Sequence, residues 1–410
     1  MPTSDEPTGP TGDLGPFAGL LYDPSVAGPL SALTATPDEL ATPTERDRFR
    51  GTSRFHVANL LPRPDEAGHR PGDQYTWGAA LLRRWLAEGV LSRAERPSVY
   101  PYEASHAGEN RRVRGLIVQL ELGSPSRRLL PHERTLPDPG AEGLAVLRAV
   151  RANLTPLYVV CPESAGSLSS LAEGLAQGPA HRELTDRSEW RHRLWVREAP
   201  AEPLAKAAAA AGRSLMIADG HHRYAAALEY RRDMRRRAGP GPWDQAMVLL
   251  VDAQEDPPVL PYHRIVLGPG PIPDPPVPLQ PARSLAEVLA RIRDDDLTFG
   301  TLHLHDGAVV YRVGRLDGEP PTVAALHRAV LDQVPQERLA YLTDAAAADG
   351  AVRSGRARAA FFLPATTLDR VWAAVRAGRT LPPKSTSFWP KPPAGLVIRP
   401  LFDPNGPNGR

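Results

Sequence analysis

Six short apolar runs constrain this chain more than any other feature. They are GLIVQLEL (115–122), PLYVVC (156–161), SLMIA (214–218), AMVLLVDA (246–253), LTFGTLHL (297–304) and AVVYRVG (308–314). Each reads as a strand. Helical patterns lie among them: WGAALLRRWLAEGVL (77–91), AEGLAVLRAVRANL (141–154), LAKAAAAAGR (204–213) and SLAEVLARIRDDD (284–296). Ser284 is a candidate N-cap for the last of these, and Gly212 sits near the end of the third. Strands alternate with helices, so the fold class is mixed α/β (α+β).

A length of 410 residues exceeds one ordinary core and predicts two domains or one elaborated α/β unit. The 46 prolines punctuate it unevenly. Residues 1–16 and 403–410 read as tails, and GPGPIPDPPVPLQP (268–281) as a surface loop or linker. The expected organisation is a tail (1–16), an N-terminal α/β region (17–114), a phosphate-binding core (115–266), a Pro/Gly-rich loop (267–283), a C-terminal α/β region (284–402) and a second tail.

The formal net charge of +2 gives no global argument for nucleic acid or membrane. Cys161 is the one cysteine, so neither an internal disulfide nor a multi-cysteine zinc site can form. It follows LYVV and reads as a small buried hydrophobe. The N-terminal stretch lacks the basic and apolar regions of a secretory signal, and no run reaches the roughly 18 apolar residues of a membrane span. A cytoplasmic protein is expected.

Three polar motifs follow apolar segments. In SLMIADGHHRYAAALEY, a strand runs into Asp219-Gly220 and a helix opens with His221, His222 and Arg223. Cations at the positive end of a helix dipole are disfavoured, so something negative is expected there. A helix N-terminus can cradle phosphate oxygens, and Arg223 could grip one bidentately. Asp219 has three candidate roles: N-cap, magnesium ligand, or partner of a histidine. The bland reading is N-capping with solvated side chains. The second motif is RLLPHERTLPDPG (128–140). Glu133 suits a general base, or equally a surface pair with Arg134. The third is LPPKSTSFWPKPPAGLVIRPL (381–401). Lys384, Ser385 and Thr386 supply donors for a carboxylate or phosphate, beside Phe388 and Trp389. A proline-fixed strap packed on the core fits as well.

No Walker-type phosphate loop, kinase Gly-rich loop, His-Glu-x-x-His helix or Gly-x-Ser-x-Gly elbow is present. The basic run RRDMRRR (231–237) falls at a predicted helix end, where cations suit the dipole, and lacks interleaved aromatics.

Taken in order, these motifs resemble the domain-of-unknown-function family 1015 from about Phe17 to Leu401, with DGHHRY and PKSTSFWPK the most specific pieces. They also resemble, at motif level, the archaeal ADP-dependent free serine kinase of the ParB/sulfiredoxin-like superfamily. The resemblance implies a ParB/sulfiredoxin-like catalytic core with additional α/β elements. It implies a phosphotransferase using ADP or pyrophosphate, with L-serine the first acceptor and Mg2+ as cofactor. By the same resemblance, Glu133 is the catalytic base, with His132 and Asp219 also catalytic. Gly220, His221, His222 and Arg223 bind phosphate; Lys384, Ser385 and Thr386 bind the substrate; Asp219 is the metal ligand.

The family's Pro-Pro-Tyr-Asp element is replaced here by Thr36-Pro37-Asp38-Glu39, with Asp38 a candidate for the carboxylate. Two rivals stand beside the kinase reading: a nucleotide- or DNA-binding ParB-like module without turnover, and a repurposed or inactive homologue. The expected partners are a small-molecule substrate and a phosphate donor, with no membrane. The low net charge and the lack of a helix-turn-helix pattern argue against DNA.

Overall fold

The computed structural model describes residues 13–62, 74–135, 137–198, 201–293, 297–305 and 308–402. The chain divides into two compact units. One comprises Met1–Leu130, Thr135–Asp256 and Pro390–Arg410; the other comprises Pro131–Arg134 and Pro257–Trp389.

The first unit is built on a ten-stranded mixed sheet. Its main path runs Arg128–Pro131, Ser214–Asp219, Leu157–Cys161, Gln245–Asp252, Arg111–Glu121, Ser98–His106, Trp190–Leu194 and Arg182–Thr185. Gln245–Asp252 pairs in parallel with Leu157–Cys161 and antiparallel with Arg111–Glu121. Alternate residues of the central strands, such as Val118, Val159, Val248 and Leu250, face a core shared with the helices. Leu144 and Leu147 of the helix Pro137–Val150 enter that core, as do Ala207 of Ala201–Ala211 and Ala226 and Tyr230 of His221–Ala238. Small residues let the helices approach closely: a Cβ on Gly143 would lie 3.2 Å from Ala226 Cβ.

The second unit carries a six-stranded antiparallel sheet in the order Gln280–Ala282, Ala308–Arg315, Thr298–His305, Ala359–Phe362, His263–Val266 and Leu339–Leu342. Period-2 alternation makes it two-faced. Ile265, Leu302, Ala360 and Phe362 pack with Val288 and Val352 of the helices Leu285–Ile292 and Ala345–Arg353. Val266, Phe299 and Phe361 face Val323 and Leu326 of Thr322–Ala329. A separate ribbon pairs Val259–Pro261 with Thr386–Phe388.

All six expected strands form, and Ser284 caps its helix by accepting Glu287 N–H at 3.2 Å. Other expectations are corrected. The helix expected over 141–154 ends at Val150, after which Ala152–Asn153 pairs with Arg399–Pro400. Residues 1–12 and 403–410 of the expected tails lie outside the described residues, but Leu14–Gly15 is a strand paired with Leu120 and Gln119. The expected seam between 114 and 115 falls inside the strand Arg111–Glu121. Hairpins such as Arg182–Thr185 with Trp190–Leu194 carry too many charged residues to read as strands locally. Cys161 is buried, and burial pushes its thiol up. Among the described residues, no helix is long and apolar enough to cross a membrane.

Buried His263 ties the stability of the second unit to pH, as does buried His327, whose pKa burial also lowers to about 4. His263 accepts Leu363 N–H at Nδ1 (3.2 Å), and burial lowers its pKa from 6.5 to about 4, with the Arg264 charge adding to the shift and Asp344 opposing it. The neutral ring is therefore the form the fold prefers. Its stabilisation is complete above pH 6.5 and is lost as pH falls through 4. A shift of this size corresponds to roughly 3 kcal/mol. His263→Asn, which retains an acceptor but does not titrate, is expected to flatten the fall in Tm between pH 6.5 and 4, as followed by calorimetry.

Candidate functional site

In the first unit, the strand Ser214–Asp219 ends in a register shift between Ile217 and Asp219, an irregularity of the kind that re-aims a side chain at a strand end. Gly220 follows with φ +100° and begins the helix His221–Ala238. A Cβ here would sit 2.8 Å from Arg223 Nη2 and 3.0 Å from Leu157 Cδ2, so both conformation and space require glycine. His221 is buried, and His222 and Arg223 are half-buried on the first turn.

Asp219 is not the N-cap; that position belongs to Gly220. Its carboxylate instead accepts Arg223 Nη2 at 2.6 Å and lies 3.1 Å from Lys391 Nζ. Lys391 is only 2% exposed and also reaches Asp38 at 2.8 Å. Arg223 donates in addition to the Pro156 carbonyl at 3.3 Å. The negative charge expected beside these cations is thus supplied by the chain itself, through Asp219 and Asp38. Asp38 stands on a turn closed by Glu39 accepting Thr36 N–H (2.8 Å), so the altered N-terminal element still presents a carboxylate. Sequence reasoning missed Lys391, although it is the second lysine of the quoted PKSTSFWPK.

At the far end of the same helix, the basic run is tied down. Arg231 and Arg235 pair with Asp244, and Arg236 pairs with Asp233. This agrees with the reading of that run as a solvated helix end.

In the second unit, Pro131–Arg134 lies along Leu381. Leu381 N–H donates to the His132 carbonyl (2.8 Å), and Arg134 N–H donates to the Leu381 carbonyl (2.9 Å). This lateral fixation orients Glu133, whose Oε2 accepts Ser385 N–H at 3.0 Å. Glu133 and the Lys384–Thr386 loop, both singled out in the sequence, are therefore brought together. His132 is fully buried, bonded to Thr386 Oγ1 at 2.6 Å and edge-on to Phe388. It supports its neighbour from inside the core. Ser385 Oγ donates to the Pro382 carbonyl at 2.6 Å, so the hydroxyls of Ser385 and Thr386 are engaged within the strap. Lys384 adopts φ +55°, and its ammonium lies 5.5 Å from the Tyr262 ring centroid.

Arg264 shapes this loop and was not singled out in the sequence. It is fully buried and donates to the carbonyls of Tyr262 (2.7 Å), Lys384 (2.8 Å) and Pro383 (3.1 Å). Its guanidinium also lies over the Tyr341 ring. Burial lowers its pKa to about 10, and Tyr341, Glu133 and Tyr262 favour the charged form. An arginine inside the apolar strand HRIV was the available signal.

The family model described as "Protein of unknown function (DUF1015)" matches residues 14–274, and the chain belongs to that family. No curated protein matches the sequence. Solved structures similar to the chain include "Free serine kinase in complex with AMP". It is 14% identical with a TM-score of 0.38, over 67% of this chain and 87% of that one. A conserved hypothetical protein from Pyrococcus furiosus is 15% identical with a TM-score of 0.39, over 70% and 97%. SbnI with C-terminal truncation from Staphylococcus aureus is 11% identical with a TM-score of 0.34, over 67% and 82%.

Two substitutions test the geometry. Arg264→Met leaves three carbonyls without their donor and is expected to cost on the order of 3 kcal/mol in denaturant melts. Hydrogen exchange should rise over 382–386. Gly220→Ala forces a left-handed alanine against Arg223 and is expected to cost at least about 1–2 kcal/mol in the same melts.

Proposed function

We propose that this protein is a phosphotransferase that moves a phosphoryl group from ADP or pyrophosphate to a small hydroxyl compound, with L-serine the first candidate. On this reading the first unit's strand–glycine–helix turn is the phosphate-binding part of a ParB/sulfiredoxin-like core. The observation that carries it is the array of Lys391, Asp219 and Arg223 at the start of an 18-residue helix. Phosphoryl transfer depends on positioning and charge neutralisation rather than on covalent chemistry by the protein. The array holds a lysine and an arginine at the positive end of a helix dipole before any donor arrives.

The donor phosphates are assigned to Gly220, His221, His222, Arg223 and Lys391. Glu133 takes the hydroxyl proton as the new O–P bond forms and the donor's P–O bond breaks, releasing AMP or phosphate. Ser385 N–H holds the Glu133 carboxylate in place, and buried His132 and Thr386 brace the strap on which it sits. Lys384 is assigned to the substrate's carboxylate; Ser385 and Thr386 act by positioning.

Among the described residues, no group of three His, Cys, Asp or Glu side chains is gathered to hold a metal ion. Asp219 already faces two cations, so a magnesium ion there would take most of its ligands from donor phosphates and water. No step here is routed through it.

The test is a matrix of ADP, ATP and pyrophosphate against L-serine and other small alcohols, with magnesium, read as phosphorylated product by mass spectrometry. ADP or pyrophosphate with L-serine is expected to give O-phosphoserine. Glu133→Gln is expected to lower kcat by about 100-fold or more with little change in donor affinity. Lys391→Met is expected to weaken donor binding. Nucleotide binding without product for any pair would replace this reading with a non-catalytic module.

A further inference from the structure

The second unit contains a cavity that the proposed phosphotransferase reading does not use. Its volume is about 380 Å3, within the range of roughly 300–1,000 Å3 common for small-molecule sites. One wall is the Pro/Gly-rich segment read in the sequence as a surface loop or linker. The floor is the sheet face formed by Thr298–His305, Ala308–Arg315 and Ala359–Phe362. The family match ends at residue 274, so the floor lies beyond it.

The loop is built into place. Arg338 donates to the carbonyls of Leu267 (3.0 Å), Pro271 (3.2 Å) and Gly270 (3.2 Å). One guanidinium thus fixes a segment whose prolines cannot pair as a strand.

The floor carries polar groups in register. Thr301 stands opposite both Arg312 and Phe361 in the ladder, so the three share one face. Thr301 is only 5% exposed, lines the cavity, and its Oγ1 has no hydrogen-bond partner among the described residues. A buried hydroxyl left so is costly, and a ligand acceptor or donor would offset that cost. Arg312 and Arg358 also line the cavity, and neither side chain has an ion-pair partner among the described residues. Among the described lining residues, Asp274 is the one carboxylate, against the two arginines. Leu279 and Phe361 supply apolar wall.

We propose that this cavity is a second ligand site, for a small organic anion with an apolar body. Arg312 and Arg358 receive its carboxylate or phosphomonoester head, and Thr301 hydrogen-bonds the same ligand from the floor. The inference stands independently of the phosphotransferase reading.

The experiment is isothermal titration of the full chain with hexanoate, phenylacetate, phenyl phosphate and inorganic phosphate. At least one organic anion is expected to bind saturably, and inorganic phosphate at least tenfold more weakly. The carboxylate and phosphate arms identify the head group. Arg312→Ala and Arg358→Ala should each weaken binding about tenfold, and Thr301→Val several-fold, with Tm held within a few degrees. Arg312→Lys keeps the charge and should retain part of the affinity, which separates a lost contact from a damaged fold. The proposal is overturned if none of the organic anions binds saturably, if inorganic phosphate binds as tightly as they do, or if binding survives both arginine-to-alanine changes.

Discussion

A guanidinium withdrawn from water must have its donors satisfied, and Arg264 meets that requirement with the carbonyls of Tyr262, Pro383 and Lys384. Because two of those carbonyls belong to the adjacent residues Pro383 and Lys384, satisfying the charge also fixes that stretch of backbone. Lys384 is held at positive φ, and the next amide, Ser385 N–H, points at Glu133. The geometry of the carboxylate therefore depends on a buried charge that never contacts it through a hydrogen bond. The coupling runs both ways, since Glu133 is among the groups that favour the charged form of Arg264.

The first unit solves a different electrostatic problem. Cations at a helix N-terminus oppose the dipole, and the sequence places two histidines and an arginine there. Asp219 and Asp38 compensate by pairing with Arg223 and Lys391. This changes what DGHHR means. It is a charge-balanced turn whose cations are held ready, rather than an array that stands unpaired until an anion arrives. The Thr36–Glu39 turn carries a carboxylate to the lysine.

Much of this architecture was legible in the sequence because the signals are local. The six apolar runs became strands through two-residue alternation, and Ser284 became a cap through its own hydroxyl. Glu133, Gly220 and the Lys384 loop were legible as motifs. The charged hairpin Arg182–Thr185 with Trp190–Leu194 was not, because its strands draw their pairing from Ser98–His106 rather than from their own hydrophobicity. The burial of His132 was not legible: an imidazole beside Glu133 carries no sequence mark telling inside from outside.

The sequence by itself determined the α/β class, the strand–glycine–helix turn and the identity of the polar motifs. These follow from backbone conformation and periodicity over a few residues. Only the tertiary structure decided which charges meet. Lys391 finds Asp38 across 353 residues, Ser385 finds Glu133 across 252, and Arg264 finds Lys384 across 120. Such pairings depend on which groups folding removes from water together, and desolvation is a property of the packed chain that no local stretch encodes.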